Sequence, residues 1–218
     1  MNIESLEQLR ALYPAPKERA LKKQIDHLDV HCRDFIALSP FVVIASSSSG
    51  GGGGGGGAAT SDSAGAARAM DASPRGGAPG FVKTPDAHTL LIPDAPGNNR
   101  LDTLENIVAT SQVGLIFMIP GVDETLRVNG TAVLCNNEIM LDMCTSERRR
   151  PALVIRVSVQ AAYLHCAKAL LRSQLWNTQS HVDRACLPSA GQMLSDQTGI
   201  HTAPETQEEM RARYAPDL

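Results

Sequence analysis

The spacing of apolar residues along the chain changes from helical to strand-like near residue 40. Before that point, apolar side chains fall on one stripe at helical spacing, which predicts a helix over residues 16–38. The stripe consists of Leu21, Ile25, Leu28, Cys32, Phe35 and Ile36. A shorter helix is predicted before it, broken near Pro14 and Pro16, because proline does not continue a helix. The run FVVIA at 41–45 predicts a buried strand.

Strand patterns dominate the chain after residue 70. Residues 113–120 are continuously apolar, and residues 125–134 and 153–161 alternate between apolar and polar, as in strands with one buried face. Short strands are predicted at 71–75 and 89–94, and helices at 99–109, 166–176, 189–197 and after residue 202. Strands in this order, with one inserted helix and no βαβ alternation, favour a mainly β fold with flanking helices, built as a closed or split barrel. Periodicity alone does not separate a barrel from a sandwich.

A serine- and glycine-rich tract interrupts these patterns at 46–68. It cannot bury enough apolar area to offset the entropy of ordering, which predicts a flexible loop. A loop within one domain is favoured over a linker between two, because few residues precede the tract. The predicted organisation is an N-terminal helical segment at 1–38, a barrel domain at 39–200 that contains this loop, and a C-terminal tail at 201–218.

Composition and charge argue against several classes of function. The 218 residues are 43% hydrophobic, which allows one sizeable core. A net charge of −3 does not favour nucleic-acid binding, and no apolar run is long enough to predict a membrane span. The five cysteines are odd in number and form no CxxC pair, so neither a disulfide framework nor a zinc site is predicted. Free thiols in a reducing cytoplasm fit this pattern better.

Two segments in the middle of the chain contain residue types suited to phosphate binding. In PGNNRLDTLENI (96–107), Asn98 or Asn99 suits a helix N-cap, and Arg100 lies beside the free N–H groups of the helix start. In SPRGG (73–77), Ser73 and Arg75 share one strand face, where a hydroxyl and a guanidinium can bind phosphate oxygens. Taken alone, each segment is more simply explained as a capped helix or a surface hairpin.

SPRGG at 73–77, PGNNRLDTLENI at 96–107 and RVNG at 127–130 occur together, in this chain order, in a known family. The stretch from about Phe35 to Gln197 resembles the pyridoxamine 5′-phosphate oxidase-like FMN-binding split-barrel proteins, and in particular a bacterial subgroup of FMN-dependent enzymes. The matching segments include FIALSPFVVIA, DASPRGGAPGFV, LLIPDAPGNNRLDTLENI and VGLIFMIPGVDETLRVNG.

The resemblance implies a six-stranded split β-barrel and a homodimer with FMN at the subunit interface. The implied FMN-binding residues are Ser73, Arg75, Phe81, Val82, Lys83, Asn98, Asn99, Arg100 and Trp176. The two arginines and the asparagines would lie near the phosphate and ribityl chain, the backbone of residues 81–83 would line the isoalloxazine, and Trp176 would come from the partner subunit. The resemblance implies no particular catalytic residue and no metal.

The function that follows from the resemblance is that of an FMN-dependent oxidoreductase, with hydride transfer at flavin N5 to or from a small molecule. The C-terminal arginine–histidine signature with which true pyridoxamine phosphate oxidases grip the substrate phosphate is missing, which leaves the substrate and the electron donor open. Two alternatives stay open as well: a non-catalytic module that binds flavin or haem, and a deazaflavin-dependent reductase on the same barrel.

Overall fold

The centre of the molecule is one antiparallel sheet of seven strands in the order β2-β1-β5-β6-β7-β4-β3, so that β2 and β3 form its two edges. The computed structural model describes residues 2–48, 70–146, 149–200 and 205–217. The loop predicted at 46–68 therefore lies outside the described residues from 49 onward. The strands are β1 Phe41–Ser47, β2 Met70–Gly76, β3 Lys83–Asp86, β4 Thr89–Pro93, β5 Gln112–Met118, β6 Thr125–Cys135 and β7 Val154–His165.

The prediction of a mainly β fold with flanking helices is confirmed, and each of the six predicted strands is present. The structure adds a seventh strand, β3, which the six-strand prediction missed. This strand is four residues long, contains Pro85 and pairs only with β4 at the edge of the sheet. A short edge strand with a proline has neither an apolar run nor a clear alternation, which is why the pattern did not reveal it. The division into domains stays a prediction.

The described residues contain eight α-helices and three single 3-10 turns. The helices are α1 Leu6–Ala11, α2 Glu18–Lys22, α3 Val30–Leu38, α4 Asp102–Thr110, α5 Glu138–Met143, α6 Lys168–Ser173, α7 Ala190–Thr198 and α8 Gln207–Tyr214. The 3-10 turns are Thr178–Ser180, Arg184–Cys186 and Ala215–Asp217. The helix α5, between β6 and β7, was not predicted.

The prediction of one continuous helix over 16–38 is wrong, because a strand-like contact interrupts it. Ile25 and Ala162 of β7 exchange two backbone hydrogen bonds, with N–H to O distances of 3.1 and 2.7 Å. Extended pairing of this kind requires backbone angles that a helix does not have. The chain re-enters a helix only at α3, where the Asp29 carboxylate accepts a hydrogen bond from the Cys32 N–H at 2.8 Å. Leu21, placed on the predicted buried stripe, is 61% exposed.

The main hydrophobic core lies between the sheet and the helices α3 and α4, and a second, smaller cluster consists of Leu91, Leu141, Cys144 and Val154. The strands contribute alternate side chains, as their patterns predicted, and the helices contribute one face each. The core residues that are less than 2% exposed include Leu28, Ile36, Val42, Ile44, Leu90, Ile92, Ile107, Leu115, Phe117, Leu126 and Ile155. Helix α4 packs against β1 and β6 and therefore has a defined position above β2, at one edge of the sheet.

The strand β6 has a bulge against β7 at Asn129 and Gly130, within the RVNG segment. A Cβ atom at Gly130 would lie 2.1 Å from the carbonyl oxygen of Ser158 on β7. The segment is therefore a close backbone approach inside the sheet, where only glycine fits.

Within the described residues, no helix is long and apolar enough to cross a membrane.

Candidate functional site: a charged cleft at one edge of the sheet

A cleft of about 500 Å³ opens between β2 and the segment that connects β4 to α4. The face of β2 forms one wall, residues 93–101 and the first turn of α4 form the other, and Phe81 lies on the lining. Although β4 lies near the opposite edge of the sheet from β2, the segment that follows β4 leads to α4, which contacts β1 and β2. Six of the nine residues predicted to bind FMN line the cleft: Ser73, Arg75, Phe81, Asn98, Asn99 and Arg100.

The wall formed by β2 presents Asp71, Ser73 and Arg75 on one face, because alternate residues of a strand point the same way. The guanidinium of Arg75 donates from Nη1 to the Ser73 hydroxyl and to the Pro74 carbonyl at 2.9 Å. Arginine has five N–H donors, so most of the Arg75 fork remains available to a ligand. Pro74 is tolerated here because β2 is an edge strand and needs no donor on that side.

The opposite wall holds Arg100 in a tight turn before α4. The N–H of Arg100 donates to the Asn98 side chain at 3.1 Å, and its Nε–H donates to the Asp102 carboxylate at 2.8 Å. Two non-glycine residues of this turn, Asn99 and Leu101, have φ values of 59° and 58°. The expectation that Asn98 or Asn99 caps the helix is wrong: the cap position is Leu101, with no side-chain cap bond, and the helix begins at Asp102.

The first N–H groups of α4 therefore have no side-chain cap and lie at the edge of the cleft. Their partial positive charge favours an anion there. Asp102 already supplies one negative charge at this helix start. Its hydrogen bond with the Arg100 guanidinium raises the pKa of that group above its usual value.

A seam of polar contacts, which the sequence patterns did not reveal, fixes α4 against β1 and β2. Thr103 and Asn106 are buried although their side chains are polar, because the helix face on which they lie points into the core. The contacts are Thr103 Oγ1 to Asp71 Oδ2 at 2.6 Å, Asn106 Nδ2 to Ser46 Oγ at 3.0 Å, and Thr110 Oγ1 to the Ser47 carbonyl at 2.9 Å. Buried polar groups need such partners, so the seam permits one register of the helix on the sheet. The signal that could have revealed it is the polar spacing of 103, 106 and 110 on an otherwise apolar helix face.

Asp94 is a cleft residue that the sequence patterns did not reveal. It directly follows β4, its backbone N–H donates to the Leu153 carbonyl at 3.0 Å, and its side chain is half-buried in the cleft lining. Burial raises the pKa of the Asp94 carboxyl, and the charge of Arg75, a hydrogen bond from the Ala95 N–H and the charge of Arg149 offset this rise only in part. In the described part of the chain, Asp94 makes no ion pair.

The remaining three predicted residues do not line the cleft. Val82 is a core residue with 3% exposure. The ammonium group of Lys83 donates to the Gly80 carbonyl at 2.9 Å. Trp176, after α6, is half-buried and its indole N–H donates to the Val122 carbonyl at 2.9 Å.

No group of three or more histidine, cysteine, aspartate or glutamate side chains that could hold a metal ion occurs among the residues that the structure describes. All five cysteines are free thiols.

A sequence profile of the pyridoxamine 5′-phosphate oxidase family matches residues 28–166, well over half of the chain. The chain belongs to this family, and the family predicted from the sequence segments is confirmed. The fold is therefore one that a flavin-binding oxidoreductase family uses. The matched region contains β1 to β7, α3 and α4, and with them every residue of the cleft.

Several solved structures are similar to this chain. HupZ of Group A Streptococcus is 14% identical, with 62% of this chain and 92% of that chain covered and a TM-score of 0.45. A Lactobacillus delbrueckii protein, described as a candidate pyridoxamine 5′-phosphate oxidase, is 15% identical, with 64% and 95% covered and a TM-score of 0.42. A Clostridium acetobutylicum protein, described as related to general stress protein 26 of B. subtilis, is 10% identical, with 62% and 87% covered and a TM-score of 0.37. No curated protein sequence matches this chain.

Proposed function

We propose that this chain is an FMN-dependent oxidoreductase that binds FMN in the cleft between β2 and α4. The observation that supports this most directly is that Arg75, Arg100 and the uncapped start of α4 all line one cleft. Two guanidinium groups and a helix N-terminus suit a phosphate group.

The residues present fit the size and the chemistry of this cofactor. A volume of about 500 Å³ falls in the range of ordinary ligand clefts, roughly 300–1,000 Å³. Asp102 engages only the Nε–H of Arg100, so the two terminal amino groups of that side chain are available to phosphate oxygens. The hydroxyl of Ser73 and the side chain of Asn99 can bind a polyhydroxy chain, and Phe81 supplies apolar surface for a ring.

When bound, FMN would supply hydride transfer at its N5 atom to or from a small molecule. The protein's own part is to hold the phosphate through the two arginines, to orient the ring against Phe81, and to exclude water from it. We further propose a homodimer with the cofactor at the subunit interface, where Trp176 of one subunit would cover the site of the other. A reducing, cytoplasmic location is part of the same proposal, since the five cysteines are free thiols.

The decisive experiment is an absorbance spectrum of the purified protein with and without added FMN, followed by anaerobic reduction with NADPH and with NADH. Bound flavin with absorbance near 450 nm that a nicotinamide donor bleaches supports the oxidoreductase proposal. A protein that stays colourless after FMN is added would count against it. Bound flavin that neither donor reduces would favour a non-catalytic binding module, and tighter binding of a deazaflavin in a parallel titration would favour the deazaflavin alternative.

The two arginines supply a residue-level test. If both hold the phosphate, Arg75→Ala and Arg100→Ala should each weaken FMN binding by roughly 1.5–3 kcal/mol, as for a hydrogen bond to a charged group. Riboflavin, which has the same ring without the phosphate, should bind all variants equally. Arg33→Ala, which removes an exposed arginine of α3 outside the cleft, is the matched control. Unchanged FMN affinity in both cleft variants would contradict the assignment.

A further inference from the structure

Among the described residues, three carboxylates and two guanidinium groups line the cleft. The three carboxylates differ in their partners. Asp71 accepts a hydrogen bond from Thr103, and Asp102 accepts one from Arg100. The Asp94 side chain is half-buried. Within the described residues, its carboxylate makes no ion pair and accepts no hydrogen bond from another side chain. A half-buried carboxylate that is supported by one backbone N–H, that of Ala95, and by no side-chain donor among the described residues is costly to keep ionised.

The charges around Asp94 make this cost depend on what the cleft contains. Arg75 and Asp71 line the same cleft from β2, Arg100 and Asp102 line it from the start of α4, and Arg149 lies on the segment before β7. The positive charges of Arg75 and Arg149 favour the ionised form of Asp94. An anion bound between Arg75 and Arg100 would neutralise that support and add a negative charge of its own.

We propose that Asp94 takes up a proton when an anion binds in the cleft, so that the affinity for the anion rises as the solution becomes more acidic. This rests on the phosphate site of the proposed function and adds to it a residue that sets how tightly the site holds a dianion. The linkage is reciprocal: an anion that favours the neutral carboxyl must bind more tightly to the protonated protein. The direction agrees with the burial of this carboxyl, which already raises its pKa. Among the described residues, no histidine lines the cleft, so none of the imidazoles described would give the same effect.

The test uses inorganic sulfate, which stays dianionic from about pH 5 to about pH 8. Any change of its affinity with pH therefore comes from protonation of groups of the protein. Calorimetric titrations of the full chain across this range should show sulfate affinity increasing toward acid, by at most about tenfold per pH unit for one coupled proton. At a single pH near the middle of the range, the heat of binding should differ between buffers of different ionisation enthalpy, because a proton is taken from the buffer. Equal heats in both buffers at every pH would overturn the proposal.

The variant Asp94→Asn keeps the shape of the side chain and removes its charge. In this variant sulfate should bind at neutral pH about as tightly as it binds the unaltered protein in acid, and the pH dependence should flatten. Asp86→Asn, at the exposed end of β3 and outside the cleft, is the matched control and should retain the full dependence. An identical pH dependence in the Asp94 variant and in the unaltered protein would overturn the proposal, as would the absence of sulfate binding at every pH. Sulfate binding without FMN binding would refute the proposed function while leaving this inference standing.

Discussion

Gly130 is the position where a single added methyl group should destabilise the fold most clearly. It lies in β6, next to the bulge that shifts the pairing of β6 with β7 by one residue. A Cβ atom at this position would lie 2.1 Å from the carbonyl oxygen of Ser158 and 3.0 Å from its carbonyl carbon. Both atoms belong to the backbone of a neighbouring strand, so a side-chain rotation cannot relieve the clash.

The expected magnitude follows from this geometry. Carbon–oxygen contacts between neighbouring strands are normally about 3.3–3.6 Å, so the substitution Gly130→Ala requires a shift of more than about 1 Å. The strand β7 pairs with both β6 and β4, and such a shift would disturb the hydrogen bonds on its two sides. Overpacking in a core costs roughly 1–3 kcal/mol even where side chains can adjust. Because the backbone must move here, we expect a loss of about 3 kcal/mol or more in the free energy of unfolding.

Urea unfolding followed by circular dichroism measures this loss. The control is Gly97→Ala, because a Cβ atom at Gly97 would meet nothing within 4 Å. That variant should stay within about 0.5 kcal/mol of the unaltered protein. Equal midpoints for the two variants, with an unchanged slope of the unfolding transition, would refute the argument that a close backbone contact requires glycine in the RVNG segment.

The same unfolding assay tests three further substitutions. Asn106→Ala should cost about 1–3 kcal/mol, because it leaves the Ser46 hydroxyl buried without its partner; a cost within error of zero would contradict the polar seam. Asp29→Ala should cost about 1 kcal/mol through loss of the α3 cap. The Cys32 N–H lowers the pKa of Asp29, so the stabilisation by this cap is present at neutral pH and is lost as the pH falls through the folded-state pKa. The difference in stability between variant and parent should therefore shrink in acid. Burial raises the pKa of Asp94, so the parent loses stability as the pH rises through that pKa; Asp94→Asn should therefore be the more stable protein at neutral pH, with an advantage that fades in acid. A gain that persists unchanged in acid would contradict this.

Much of the candidate site could be predicted because its parts are local. Alternation along β2 places Ser73 and Arg75 on one face wherever that strand pairs, and the turn at 98–100 precedes an amphipathic helix in any tertiary context. Asp94 could not be found in this way. Its interest lies in what surrounds it, namely Arg75 from a distant strand and, among the described residues, the absence of an ion pair, and neither can be read from its neighbours along the chain.

The sequence by itself determined the six predicted strands, the family to which the chain belongs and six of the residues that line the cleft, because strand alternation and motif order depend on neighbours a few residues apart. Only the tertiary structure decided where pairing ends and which charges meet. The contact of Ile25 with Ala162 divides the N-terminal helix, β3 is a strand only because β4 offers it an edge, and the start of α4 faces β2 only because the polar seam holds it there. Each of these features depends on groups far apart in the sequence, whose interaction outweighs the local preference of the chain.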